Sequence, residues 1–202
     1  MEALAMIVGF VYAFLQIRKS HHLWYFCIAA SVLNIIVFYH NNYPMMLAIQ
    51  FFYIGNSFYG LKQFRKVKKQ AVARYGVMDE RDRDKVAVAR FDPKVGCISS
   101  LIALAAFLVL APIARSYALA RGGVAFACQP WFDTLMGVGS MLGTFFLSRS
   151  YMCQWYMWLT INTLSTFVFL HSGMYFMTAL YVAYVLVAAY GAWFWHKHGV
   201  YV

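Results

Sequence analysis

Trp155, Trp158 and Asn162 are spaced i, i+3 and i+7. On a helix of about 3.6 residues per turn, that spacing brings two indoles and one amide onto a single face. Such a face suits a flat ring that carries a hydrogen-bonding substituent. An indole face also attracts a cation, a contact worth about 2 kcal/mol or more once it is desolvated. The three residues lie in an apolar stretch, and an unpaired amide inside lipid is costly, so Asn162 is expected to face the interior. Trp155 has two readings. It either lines a pocket or anchors the helix at the headgroup level, where Trp is enriched.

A second set, Gln50, Tyr53, Asn56 and Tyr59, recurs every three residues in another apolar stretch. Polar groups within a span face the bundle. They serve either a binding site or helix-to-helix hydrogen bonds, the latter worth about 0.6 kcal/mol on average. Asn34 is a weaker candidate. His40 and His171 fall in short connections with no second ligand at metal spacing, so no metal is expected. No nucleophile with a base and no paired carboxylates accompany His40, His171 or His196. An enzyme is therefore not expected, nor is a cofactor. No Asp, Glu, Lys or Arg occupies the middle of an apolar stretch; Asp133 and Glu2 sit near ends. Coupling to protons needs an ionisable group within the membrane, so the solute should move down its own gradient. A non-transporting receptor or assembly subunit is the remaining alternative.

The elements that must hold these residues are written twice. Residues 9–66 fall on 140–197 without a gap, at an offset of 131 positions. Arg18 lands on Arg149, Trp24 on Trp155, Tyr53 on Tyr184, Tyr59-Gly60 on Tyr190-Gly191 and Lys66 on Lys197. Trp158 and Asn162 break the match, opposite Cys27 and Ser31. Trp24 keeps its place near the end of its span and reads as an interfacial anchor. Duplication in an apolar chain marks transporters whose halves enclose a solute near the midplane.

Spans of about 20 residues are expected at 2–17, 23–39, 44–64, 95–115, 131–148, 152–170 and 174–195. Three spans reverse the chain, and the lone fourth restores its direction. The fold class is thus an all-α membrane protein: two parallel three-helix repeats joined by a linker helix, three plus one plus three. The whole of 1–202 is one membrane domain, with repeat one at 2–66, a cytoplasmic linker at 65–94, the linker helix at 95–115 and repeat two at 131–197. Gly96, Ser99 and Ser100 permit close approach along the linker helix, and Pro112 should kink it or end it early.

Composition agrees with a lipid solvent. Hydrophobic residues make up 63% and charged ones 12%, half the share of about 25% usual in soluble domains. The net charge of +10 sits between or beside the apolar stretches, which argues against nucleic acid as a partner. Arg18, Lys19, the run from Lys62 to Lys94, Arg149 and Lys197 fall on one side of the seven spans, with only Arg115 and Arg121 on the other. Basic residues stay inside, which puts the N-terminus outside and the C-terminus in the cytoplasm. The 65–94 connection reads as a solvated linker, helical in part, with anionic lipid as an alternative partner. Cys27, Cys97, Cys128 and Cys153 form no CxxC and read as packing residues. Residues 1–16 lack a basic start and a cleavage site and read as a span rather than a signal peptide.

At these residues the chain resembles the PnuC family of bacterial vitamin transporters, which share the SWEET architecture. Trp155, Trp158 and Asn162 match its WxxWxxxN motif in full; Gln50 to Tyr53, Tyr59-Gly60 and Ser148-Arg149 are also similar. The resemblance implies uptake of nicotinamide riboside by facilitated diffusion across the bacterial inner membrane, with substrate between the repeats and a homotrimeric assembly. It implies that Trp155, Trp158 and Asn162 contact the base, with Gln50, Tyr53 and Asn56 as further substrate-binding candidates. One departure bears on the cargo. The family often reads YGWYxW where this chain has Tyr59-Gly60-Leu61-Lys62-Gln63-Phe64. Relatives carry thiamine or riboflavin, so these vitamins remain alternatives.

Overall fold

A computed structural model describes residues 11, 14–40, 44–75, 85–120, 129–173 and 175–202. Glu2, Arg121, Cys128 and most of the expected first span lie outside the described residues, as do the side chains of Asn34 and His40. The helices bounded among the described residues are α1 (His22–His40), α2 (Pro44–Tyr75), α3 (Pro93–Ala120), α4 (Gln129–Ser148), α5 (Cys153–His171) and α6 (Tyr175–His198); residues 14–17 before them are also helical. The expected spans from 23–39 onward each fall on one of these helices.

Local chemistry sets the helix starts. Ser20 Oγ accepts from the backbone N–H of His22 at 3.3 Å, capping α1. Asp92 Oδ1 accepts from the N–H of Lys94 at 3.0 Å, and Pro93 between them fills the first helical position, where its missing N–H costs nothing. Two expectations are corrected here. Of the kink or early end expected at Pro112, the early end is overturned, since α3 continues to Ala120; surrounding helices, hydroxyls and small adjustments of the backbone let apolar spans tolerate an internal proline. The 65–94 connection is not wholly solvated. Helix α2 runs on to Tyr75, and Val86–Val88 form a buried strand, β1, paired in parallel with β2 (Gly199–Tyr201). The all-α expectation thus holds for the helices and omits this small sheet.

The chain divides into two compact units. The first takes Met1–Arg90, Thr144–Met152 and Gly191–Val202, and the second takes Phe91–Gly143 and Cys153–Tyr190. The core of the first unit is Leu23, Trp24, Phe64 and Leu147, with Leu15 and Leu61 packed against it. The Trp24 indole meets Phe64 edge-on at 5.2 Å. It also lies so close to Gly60 that a Cβ there would stand 2.3 Å from a ring carbon. Trp24 is fully buried, so the reading of it as a lipid-facing anchor is corrected: a ring at the end of a span has turned inward onto a glycine.

The duplication extends to the backbone. Among the described residues two non-glycine residues have positive φ, Lys19 at 50° and Ser150 at 62°, and they are repeat mates. Each closes a helix in the same way. Lys19 N–H donates to Gln16 and Ser20 N–H to Leu15, while Ser150 N–H donates to Leu147 and Tyr151 N–H to Phe146. That pair of reversed bonds with one left-handed residue is the Schellman ending, here without its usual glycine. Burial repeats as well: Leu23 and Gln154, Trp24 and Trp155, Ser31 and Asn162, Phe64 and Trp195 are all buried.

In the second unit the apolar surface is on the outside. Leu101, Ile102, Leu108 and Val109 of α3 are each about three-fifths exposed, far more than a water-facing helix leaves uncovered. By length and composition, Pro93–Tyr117 and Met177–His198 could cross a membrane.

Candidate binding face

Helix α5 buries Gln154, Trp155, Ile161, Asn162, Ser165 and Val168. Gln154, Trp158, Asn162 and Ser165 follow one another at steps of four, four and three, so they form one stripe. Helix α4 is built to receive it. Met136, Gly139, Ser140 and Gly143 share a face, and two glycines four apart let helices approach closely. Ser165 Oγ donates to Met136 Sδ at 2.8 Å. Ile161 reaches the space a Cβ would take at Gly139, to within 3.0 Å, and the Trp158 ring lies 3.5 Å from the corresponding point at Gly143. The indole of Trp158 therefore lies against a glycine, in ordinary contact.

On this stripe the Trp158 indole nitrogen is enclosed and has no protein partner among the described residues. Leaving such a group unpaired in an apolar interior costs about 1–3 kcal/mol. Asn162 is 8% exposed, and its backbone carbonyl accepts from Thr166 Oγ1 at 2.8 Å. These groups are one turn apart and can meet a single planar solute. Trp155 is buried, at 2% exposed, which is not how a residue anchored in lipid headgroups sits. Further along the same unit, Phe169 meets Tyr181 at 5.0 Å and Tyr181 meets Tyr184 edge-on at 5.7 Å.

The remaining candidates belong to the first unit. Gln50 and Asn56 are buried on α2, and Tyr53 is half-buried. Asn56 Nδ2 donates to the backbone oxygen of Thr144 at 3.1 Å, so this amide is at least partly committed to joining helices. The Tyr53 carbonyl accepts from Ser57 Oγ at 2.7 Å, and its ring lies 5.8 Å from that of Phe52. Tyr59 has a full set of contacts: its hydroxyl accepts from Gln63 Nε2 and from Arg149 Nη1, both at 2.7 Å, and its ring stacks on Phe145 at 9°.

Sequence reasoning passed over Gln154, which is fully buried. Its signal was in the duplication, where a buried Leu23 becomes an amide. His171 and His196 are exposed, and no group of three or more His, Cys, Asp or Glu that could hold a metal occurs among the described residues.

Comparison with known proteins bears on what this face serves. Residues 1–197 match the family described as Nicotinamide mononucleotide transporter. Curated relatives named Nicotinamide riboside transporter PnuC, from Escherichia coli strain K12 and from Shigella flexneri, are each 30% identical over 66 residues. Those matches cover 33% of this chain and span 28% of the relatives' length. A solved structure described as the crystal structure of the vitamin B3 transporter PnuC is similar in fold, with a TM-score of 0.58 at 18% identity; the alignment covers 96% of this chain and 79% of that one.

Proposed function

The chain belongs to the nicotinamide mononucleotide transporter family, a family of transporters and not of enzymes, and from that premise we propose that it carries nicotinamide riboside across the bacterial inner membrane by facilitated diffusion. The observation that carries this reading is the α5 stripe, where an enclosed indole N–H with no protein partner among the described residues lies one turn from a buried amide. The nicotinamide ring is flat, cationic and bears a carboxamide. The faces of Trp155 and Trp158 supply stacking and cation–π attraction. Asn162 supplies the hydrogen bond to the carboxamide. Gln50, Tyr53 and Asn56 supply further polar contacts from the third span of repeat one.

In this reading seven spans form two parallel repeats around a linker helix, three plus one plus three, with substrate between the repeats. The N-terminus is outside and the C-terminus cytoplasmic. Contacts in the first unit support that sidedness. The 85–90 segment there touches Lys19, Ser150 and the C-terminal strand, and all four were assigned to one side from charge. The assembly in this reading is a homotrimer, and a monomer or dimer by native mass spectrometry would overturn that part of it. Purified protein in sealed vesicles should equilibrate labelled nicotinamide riboside with no ion gradient. Accumulation above the external concentration, driven by protons or sodium, would rule the passive mechanism out. Because the end of α2 lacks the family's usual tryptophans, thiamine is the alternative cargo, followed by riboflavin. Calorimetry with the three vitamins decides among them.

A further inference from the structure

The segment from Lys85 to Arg90 lies in the connection between the repeats, and its centre is buried while its two ends are exposed. Val86, Ala87 and Val88 are 4%, 6% and 0% exposed. It reaches four pieces of chain. Ala87 packs on Val67 and Ala71 of α2. The Ala87 carbonyl accepts from Lys19 Nζ in the turn of repeat one, and that ammonium also lies over the Phe64 ring at 4.8 Å. Ala89 N–H donates to the Ser150 carbonyl in the equivalent turn of repeat two at 3.0 Å. The strand itself pairs with Gly199–Tyr201, and Val202 N–H donates to Val88 while Arg90 N–H donates to Val202, both at 3.0 Å.

One strand thus bridges Lys19 and Ser150, the two left-handed residues that are repeat mates. Its partner strand, Gly199–Tyr201, lies beyond the residues matched by the family, 1–197. The tie is short, three residues on each side, and two-stranded pairing of that length is marginal without the packing around it. Such a contact is strong enough to hold and weak enough to release.

We infer that residues 85–90 are a releasable clasp that ties the turn of repeat one to the turn and tail of repeat two and must open in each transport cycle. The inference rests on the transport reading, because only a protein whose repeats rock needs these turns to part. While the clasp is closed, Lys19 and Ser150 are held through a single strand and cannot separate. When it opens, the turns are free to move with their own repeats.

The test uses the full chain with Cys27, Cys97, Cys128 and Cys153 changed to alanine. Ala87→Cys with Val200→Cys joins two register partners by a disulfide. Ser150→Cys places a thiol at a position that is fully buried while the clasp is closed. Labelling of Ser150→Cys by maleimide, resolved by site with mass spectrometry, should slow at least tenfold when the disulfide forms. It should speed up at least tenfold when the chain is cut after His198. Uptake of nicotinamide riboside should fall at least tenfold on cross-linking and recover with reductant. Equal labelling of cross-linked and reduced protein overturns the clasp. So does unchanged uptake in cross-linked vesicles. If labelling responds as expected while the parent protein moves no vitamin, the transport reading fails and the releasable contact stands.

Discussion

Gly60 and Trp24 should behave as one unit, and a double-mutant cycle measures how strongly. A Cβ at residue 60 would stand 2.3, 2.5 and 2.7 Å from three ring carbons of Trp24. The ring cannot retreat easily, because it is fully buried and meets Phe64 at 5.2 Å. Overpacking of this kind costs about 1–3 kcal/mol. Against that, alanine in a helix interior is favoured over glycine by about 1 kcal/mol. The net for Gly60→Ala in the parent protein is therefore a loss of about 0–2 kcal/mol. In a Trp24→Ala background the colliding atoms are gone, and the same change should stabilise by up to about 1 kcal/mol. The coupling is then about 1–3 kcal/mol, or about 2–12 °C in melting temperature for a chain of this size. Thermal unfolding of the four purified variants in one detergent measures it. If Gly60→Ala shifts the melt equally in both backgrounds, the indole does not rest on this glycine and the packing of α1 on α2 described above is wrong.

Trp158→Ala should weaken vitamin binding by about 1–3 kcal/mol, or about 5- to 150-fold by calorimetry, through lost stacking and cation–π attraction; Asn162→Leu should cost a similar amount through the lost amide. The triple change Gln154→Leu, Trp158→Cys and Asn162→Ser, which writes repeat one into repeat two, should abolish measurable binding while leaving the melting temperature unchanged or higher; retained affinity would show that the stripe is not the recognition face. Burial holds the Lys19 ammonium at about 7, down from 10.5, so closing the clasp releases a proton between those values and rising pH across that window should favour the closed form, with no further change below about 7. His21 beside it is pushed below its usual value by burial and by Lys68, Arg65, Lys19 and His22, and so stays neutral there; dipolar broadening between spin labels at Arg90→Cys and Tyr201→Cys should rise with pH and become flat in Lys19→Met. A cysteine at Lys69 should be shielded from an impermeant thiol reagent in whole cells, and labelling there would invert the topology.

The helices were legible because a lipid solvent demands long apolar runs, and the duplication was legible because it needs no gap. The pairing of Val86–Val88 with Gly199–Tyr201 was not. Three-residue strands from distant parts of a chain carry too little pattern to be read, and charged residues before them made the connection look solvated. The burial of Trp24 was missed for a different reason. Its position at the end of a span is equally that of an interfacial anchor, and only the nearby glycine on α2 distinguishes the two. Gly60 was visible in the sequence, but which ring it faces depends on how α1 and α2 pack. At the candidate face the spacing of Trp158 and Asn162 was readable, whereas the absence of a partner for the Trp158 indole N–H was not. Asn56 shows the converse: its hydrogen bond to Thr144 gives it a scaffold role that spacing could not separate from binding.

Differences between the copies point to recognition more sharply than polarity does. Where both copies bury a residue of the same kind, as at Trp24 and Trp155, symmetry alone does not separate a binding role from packing that each repeat needs. At Leu23, Cys27 and Ser31 the first copy places small or apolar groups on one helical stripe. At the same three positions the second copy has Gln154, Trp158 and Asn162. The first set folds a repeat without this polarity, so folding alone does not require it in the second. Enclosing the Trp158 indole nitrogen and burying the Asn162 amide adds a desolvation cost that repeat one does not carry at Cys27 and Ser31. A protein keeps such a cost where function recovers it. In the proposed reading the recovery is a ligand that pairs with those groups, and the asymmetry then favours α5 as the recognition face.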